Sequence, residues 1–174
     1  MSPGEFGPGG LGAGGLGSGG LGTGGRVVPP EWIDYNGHMM DAYYFLAFTE
    51  ATEAFLDYVG LGAAYQARTG GGIYTAESHL CFVSGVTEGA ALRYETQLLG
   101  HDDKRMHVFH QMTESGNPEQ VATNELMFLH VDLTTERVKP MPPATSREVR
   151  LLAVAHASLP APPNAGRRIR MPGR

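Results

Sequence analysis

The chain has 174 residues, a single cysteine and a formal net charge of −5. That length suits one domain; the lone Cys81 excludes an internal disulfide framework, and no apolar run approaches the roughly 18 residues of a membrane helix. Residues 26–144 hold 7 Lys/Arg against 16 Asp/Glu, a balance of −9, whereas residues 145–174 hold 6 Arg against Glu148 alone, a balance of +5; a body this acidic argues against nucleic-acid binding.

Residues 1–25 repeat a five-residue unit, Gly9-Gly10-Leu11-Gly12-Ala13, Gly14-Gly15-Leu16-Gly17-Ser18 and Gly19-Gly20-Leu21-Gly22-Thr23. Sequence this rich in glycine cannot repay its ordering entropy. It is expected to be a disordered tail, or an artefact of where the chain is taken to start. No Lys-Ser/Thr closes it and no strand precedes it, so it is not a nucleotide loop. About 150 residues remain, enough to bury roughly 70% of the unfolded surface.

Arg26-Val27-Val28-Pro29-Pro30 reads as a short extended segment at a sheet edge. Then comes Trp32-Ile33-Asp34-Tyr35-Asn36-Gly37-His38-Met39-Met40-Asp41. It concentrates a carboxylate, an amide, a glycine and an imidazole in five positions. Each of these groups needs a partner if it leaves water, so buried structural loops rarely gather so many. Two readings fit: an active-site loop feeding a helix, or a turn in which Asp34 and Asn36 only satisfy backbone groups.

Residues 40–59 contain neither Gly nor Pro and predict a helix. Tyr44, Phe48, Ala51, Phe55 and Tyr58 form its apolar stripe, and Glu50, Glu53 and Asp57 the opposite one. Gly60 is its expected C-cap, and a short helical turn is expected at Ala63–Arg68. Four segments rich in β-branched and aromatic residues follow: Ile73–Ser84, Ala91–Gly100, Arg105–Thr113 and Gln120–Leu133. Short turn sequences separate them, which predicts antiparallel neighbours. Ser146–Ala157 predicts a last helix, ended by Pro160, Pro162 and Pro163.

One long apolar helix followed by four strands predicts an α+β chain whose curved antiparallel sheet wraps the helix. That is the hotdog fold, here expected over 26–160. Residues 161–174 are left as a basic tail. Its Gly166-Arg167-Arg168-Ile169-Arg170 could meet ligand phosphates or stay solvated.

With these elements in place, Asp34-x-Asn36-Gly37-His38 before an aromatic-rich helix resembles the hotdog thioesterases of the 4-hydroxybenzoyl-CoA type. Ile73–Leu80, Gln97–His107 and Leu129–Asp132 are similar to the betainyl-CoA branch of that family, which is related to the thioesterase domain fused to carnitine dehydrogenases. The resemblance covers roughly residues 26–170. One position departs from the pattern: Met40 stands where the family usually has Asn.

The resemblance implies hydrolysis of a short acyl-CoA, betainyl-CoA first, to an acid and CoA. It also implies a homodimer or tetramer; from the residues themselves, a cytoplasmic location is expected because no secretory signal is visible, no metal because no His/Cys pair has zinc-type spacing, and no cofactor is expected. Asp34 would act as nucleophile or general base. Asn36 and His38 would orient Asp34 or the water, or else only scaffold the loop; Gly37 would let the loop turn tightly, and the Asp41 N–H would meet the thioester carbonyl. A quaternary ammonium cannot donate hydrogen bonds, so aromatic faces and a carboxylate are its receptors. Trp32, Tyr35, Tyr43, Tyr44 and Tyr74 are candidates, with Glu77 or Glu50 as charge partner. A non-catalytic acyl-CoA-binding module is the reading from another class. Glu77, His79 and Cys81 share a strand face without metal-type spacing. Cys81 as nucleophile is disfavoured, since a lone cysteine usually packs as a small hydrophobe. His107 and His110, three apart on a strand, should face opposite ways.

Overall fold

The computed structural model describes residues 16–17 and 20–171. Its elements run β1 (Leu16–Gly17), β2 (Gly20–Val27), a 3-10 turn at Pro30–Trp32, α1 (Asp41–Tyr58), α2 (Ala63–Thr69), β3 (Gly71–Phe82), β4 (Ala91–His101), β5 (Arg105–Glu114), β6 (Asn117–Asp132), β7 (Arg137–Val138) and α3 (Pro143–His156). The strands form one antiparallel sheet in the order β1-β2-β4-β5-β6-β3, with β7 paired to β6.

This is the expected hotdog arrangement, with α1 held against a curved sheet. Tyr44, Ala47, Phe48, Ala51 and Phe55 are the buried residues of α1. At one end Tyr44 and Phe48 pack with Val28, Trp32, Tyr94 and Met112. At the other, Phe55 and Val59 pack with Leu21, Leu98, Phe128 and Val149. Tyr58 does not continue the stripe. It is 57% exposed and Val59 takes the inner position, because the helix ends at Tyr58 and Gly60 turns the chain with φ +75°. Nor does the sheet bury most of the helix: Phe45 and Leu46 lie exposed on its other face.

Four expectations from sequence need correction. Gly20–Gly25 belong to β2, not to a disordered segment. Leu21 and Thr23 are buried there, and Leu21 to Val27 pair with β4. The glycines let that strand lie close: a Cβ on Gly25 would stand 2.2 Å from the Leu92 carbonyl oxygen. The expectation for residues 1–15, 18 and 19 lies outside the described residues. Second, β3 does not pair with its sequence neighbour β4. It crosses the sheet and pairs with β6, from Gly71 opposite Asp132 to Phe82 opposite Ala122, which leaves it as the last strand on that side.

Third, α3 begins at Pro143, a residue whose missing N–H costs nothing in a first turn. Fourth, the chain beyond α3 is not a free tail. Gln97 Nε2 donates to the Pro160 carbonyl (3.4 Å), Asn164 Nδ2 to Gln120 Oε1 (3.5 Å), and the Gly166 N–H to Glu125 Oε2 (2.7 Å). Residues 160–166 therefore cross the sheet as a strap.

His107 and His110 do face opposite ways. His107 Nε2 meets Glu125 Oε1 at 2.6 Å on the strap side. His110 is fully buried on the helix side between Thr96 Oγ1 (2.7 Å) and Thr52 Oγ1 (3.0 Å).

Candidate active site

The loop before α1 is built on Asp34. Its Oδ1 accepts the Asn36 N–H (2.8 Å) and the His38 N–H (3.2 Å), and its Oδ2 accepts Asn36 Nδ2 (3.1 Å). Gly37 takes φ +80° at the tip, where its N–H reaches the Asp34 carbonyl (3.1 Å). Ile33 and Met39 bridge across the base, and the Met39 N–H donates to the Val86 carbonyl (2.7 Å). The loop is thus tied to the chain that leaves β3.

Partial desolvation raises the Asp34 carboxyl pKa. The hydrogen bonds from His38 and Asn36, with the His38 charge, outweigh this and hold it below the ordinary carboxylate value. Asp34 is therefore ionised at neutral pH, as a nucleophile or a base must be. The same bonds form an Asx-type turn, so one side chain both shapes the loop and presents a carboxylate.

Met40 is the N-cap of α1 and its side chain makes no capping bond. An Asn there could accept the N–H of the second or third helical residue; Met cannot. The Asp41 and Ala42 amides have no carbonyl of their own helix to donate to and sit at its positive end. Tyr44, one turn further on, accepts the Val86 N–H (3.2 Å) and donates to the Ser84 carbonyl (3.4 Å). Its ring meets Phe82 edge-on at 5.2 Å. Burial pushes its phenol up, against the Val86 hydrogen bond.

These groups enclose an open cleft of about 290 Å³, lined by Asp34, Asn36, His38, Met39, Asp41 and Tyr44 on one side and Phe82–Gly85 on the other. The structure thus brings together Asp34, Asn36, His38, Asp41 and Tyr44, with Gly37 as the hinge. Phe82 to Gly85 were not singled out from sequence. Gly85 lets the His38 ring pack closely, since a Cβ there would lie 2.6 Å from His38 Cδ2 and the exposed ring would have to move. The only local signal was Ser84-Gly85 at the end of a strand.

The remaining candidates lie elsewhere. Trp32 is buried, stacks on Tyr43 at 4.9 Å, and carries the Arg26 guanidinium 4.6 Å from its ring centroid. Glu50 pairs with that same Arg26 at 3.1 Å. Burial raises the Glu50 carboxyl, with Arg26 opposing and Glu53 adding to the rise. An aromatic face and a carboxylate are what an ammonium group needs, but here the protein's own arginine takes both. Tyr35 is 97% exposed at the loop surface. Tyr74 and Glu77 lie on β3 away from this cleft. Glu77 instead lines a cavity with Ser78, His79, His107 and Glu125. His79 Nε2 and Cys81 Sγ are 3.7 Å apart on one face of β3. Among the described residues no group of three or more His, Cys, Asp or Glu could hold a metal ion.

A family model described as the thioesterase-like superfamily matches residues 28–149, which include the whole cleft. The chain belongs to the thioesterase-like superfamily. It is 43% identical to a betainyl-CoA thioesterase of Pseudomonas aeruginosa over 145 residues, covering 83% of this chain and 91% of that one. It is 44% identical over 140 residues to an L-carnitine dehydrogenase/betainyl-CoA thioesterase of Agrobacterium fabrum, of which it covers 28%. Among solved structures, a candidate thioesterase of Pseudomonas putida KT2440 superposes with a TM-score of 0.77 at 35% identity, covering 88% of this chain and 98% of that one. A hypothetical protein of Staphylococcus aureus, solved with CoA, superposes with a TM-score of 0.80 at 25% identity, covering 86% and 94%.

Thioesterase chemistry needs a nucleophile or a base for water, donors for an oxyanion, and room for an acyl group. In this thioesterase an ionised carboxylate, the first residue of α1 and an aromatic wall all border one cleft. A preorganised oxyanion donor is typically worth roughly 3–4 kcal/mol in the transition state.

Proposed function

We propose that the chain hydrolyses betainyl-CoA to glycine betaine and CoA. One observation carries the reading: the Asp34 carboxylate and the uncapped start of α1 border the same cleft as the Tyr44–Phe82 aromatic pair. In a betainyl thioester the quaternary nitrogen is one methylene from the carbonyl carbon. When the carbonyl oxygen meets the Asp41 and Ala42 amides, the trimethylammonium group must stay inside this cleft. The Tyr44–Phe82 pair and the Asp41 carboxylate are the receptors within reach, and both suit an onium cation. Asp34 then attacks the carbonyl or takes a proton from the attacking water. Asn36 and His38 hold Asp34 through the bonds described above. The naming of two relatives for betainyl-CoA supports the same assignment.

The second reading, a thioesterase for another small acyl-CoA, is favoured by the openness of the Asp34 cleft and by Met40. The two separate on a pair of substrates. 3,3-Dimethylbutanoyl-CoA copies the shape of the betainyl group but carries no charge. Desolvated cation–π contacts of about 2 kcal/mol should make betainyl-CoA better by a factor of tens in kcat/KM, measured by thiol release. Equal values would overturn the betaine assignment and leave the broader thioesterase.

The active unit in this reading is a homodimer, alone or within a tetramer, working in the cytoplasm where CoA esters are used. Residues 74–78 of β3 are all exposed, on both faces of a twelve-residue strand that ends the sheet. Such an edge invites pairing with a second copy, and two-fold closure is the common result. Light scattering at micromolar concentration should give twice the chain mass, or four times if the dimers pair. A fully active monomer would overturn the dimer.

A further inference from the structure

The strap that follows α3 runs along one row of the sheet. Gln97, Phe109, Glu125 and His79 are cross-strand partners from β4 to β3. Pro160 is bound to the first and Gly166 to the third. Phe109, between them on the same face, is only 2% exposed. His107 also bonds Glu125, so both carboxylate oxygens of Glu125 are engaged. Gly166 turns the chain there with φ +71°. The strap therefore delivers Arg167, Arg168 and Arg170 to the outer side of β3, all three exposed.

Between these arginines and β3 lies a groove of about 840 Å³, lined by residues 79–82 and 165–170. Among the described residues it is lined by three guanidinium groups and one imidazole and by no carboxylate, although Arg167 and Arg168 also line the adjoining cavity that holds Glu77 and Glu125. In a chain whose residues 26–144 carry −9, this is a local reversal of sign. The groove also shares Phe82 with the Asp34 cleft. The end of β3 is thus a corner joining a positive outer groove to a cleft that holds a carboxylate and free amides.

We infer that the C-terminal strap is the phosphate-binding half of the substrate site. Arg167, Arg168 and Arg170 hold the pyrophosphate and 3′-phosphate of CoA in the outer groove, and the pantetheine arm passes Phe82 to reach Asp34. The inference rests on the thioesterase reading above. Guanidinium groups suit phosphate through paired, charge-assisted hydrogen bonds. The groove has the volume range of ligand pockets. Arg167 is partly oriented beforehand, since its Nη1 donates to Asn164 Oδ1 at 3.2 Å.

The test compares CoA with pantetheine, which lacks every phosphate. The full chain and its Arg167→Ala/Arg168→Ala/Arg170→Ala variant are titrated with both by calorimetry. The wild type should bind CoA more tightly than pantetheine, and the variant should lose at least about tenfold of that preference, in keeping with two or more charge-assisted contacts. An Arg→Lys triple variant should retain part of it, and raised salt should weaken wild-type CoA binding more than the alanine variant's. A CoA-to-pantetheine ratio equal in wild type and alanine variant would overturn the strap assignment. Thiol release from acyl-CoA by the wild type is followed in parallel. Its absence would instead count against the thioesterase reading, because the binding ratio reports on the groove without turnover.

Discussion

Asp34→Asn is expected to lower kcat by roughly a hundred- to ten-thousand-fold, the usual worth of a general base. The substitution keeps the size of the side chain. Its remaining oxygen can still accept the Asn36 and His38 N–H groups that now reach Oδ1. The one local conflict is with Asn36 Nδ2, which donates to Oδ2. Two amide NH₂ groups cannot bond each other that way, but the Asn36 side chain is exposed and can turn aside. Folding and CoA affinity should therefore persist, and the loss should fall on kcat more than on KM. If Asp34 only shaped the turn, Asn would replace it almost fully, since both residues make the same local bonds. A folded variant keeping more than about a third of wild-type kcat, far above the general-base expectation, would remove Asp34 from the chemistry.

The second large effect concerns acid stability and His110. Burial alone pushes its pKa down from 6.5 to about 3. The ring lies between two threonine hydroxyls and stacks on Phe48 at 6.0 Å, with no carboxylate of the described residues bonded to it. A depressed histidine pKa means that the unfolded chain binds the proton first. The stabilisation is complete above pH 6.5 and drains as pH falls towards about 3. The slope is about 1.4 kcal/mol per pH unit, and the full span is on the order of 5 kcal/mol. His156, also depressed by burial, adds to the loss in the same direction. Asp34, Asp102 and Asp132, whose pKa values are lowered by their hydrogen bonds despite some desolvation, contribute only at more acid pH.

The informative window is therefore pH 6.5 down to about 4.5, between the ordinary histidine and carboxylate values. Urea unfolding across it should show falling stability, and His110→Gln should remove close to one proton from the slope. The His110 ring resonances should stay flat over the same range in the folded protein. A His110 that titrates near pH 6.5 while the chain remains folded would overturn this account.

Much of the site was legible because it is local. Asp34, Asn36, Gly37 and His38 lie within five positions, and their bonds to one another span at most four. The start of α1 follows from the same stretch, since an uninterrupted run of helix formers begins there. The aromatic receptors were not legible in this way. Trp32 and Tyr43 have the right chemistry for an onium cation, but they stack on each other, and Arg26 comes from β2 to lie over Trp32 and pair with Glu50. Phe82 looked like one more strand residue until β3 ended beside Tyr44.

The sequence by itself determined the order of the three helices and the four long strands, the helix and strand periods, the polar loop before α1 and the reversal of charge towards the C-terminus. Each is a property of neighbouring residues, set by propensity, alternation and turn chemistry within a few positions. Only the tertiary structure decided that β3 pairs with β6 and not β4, that Gly20–Gly25 complete a strand, and that residues 160–166 strap the sheet. These outcomes hang on contacts between residues 40 to 75 positions apart, such as Phe82 with Ala122, Gly166 with Glu125 and Leu21 with Thr96. No local pattern records them, because the free energy that selects them comes from surfaces that meet only once the sheet has closed on α1.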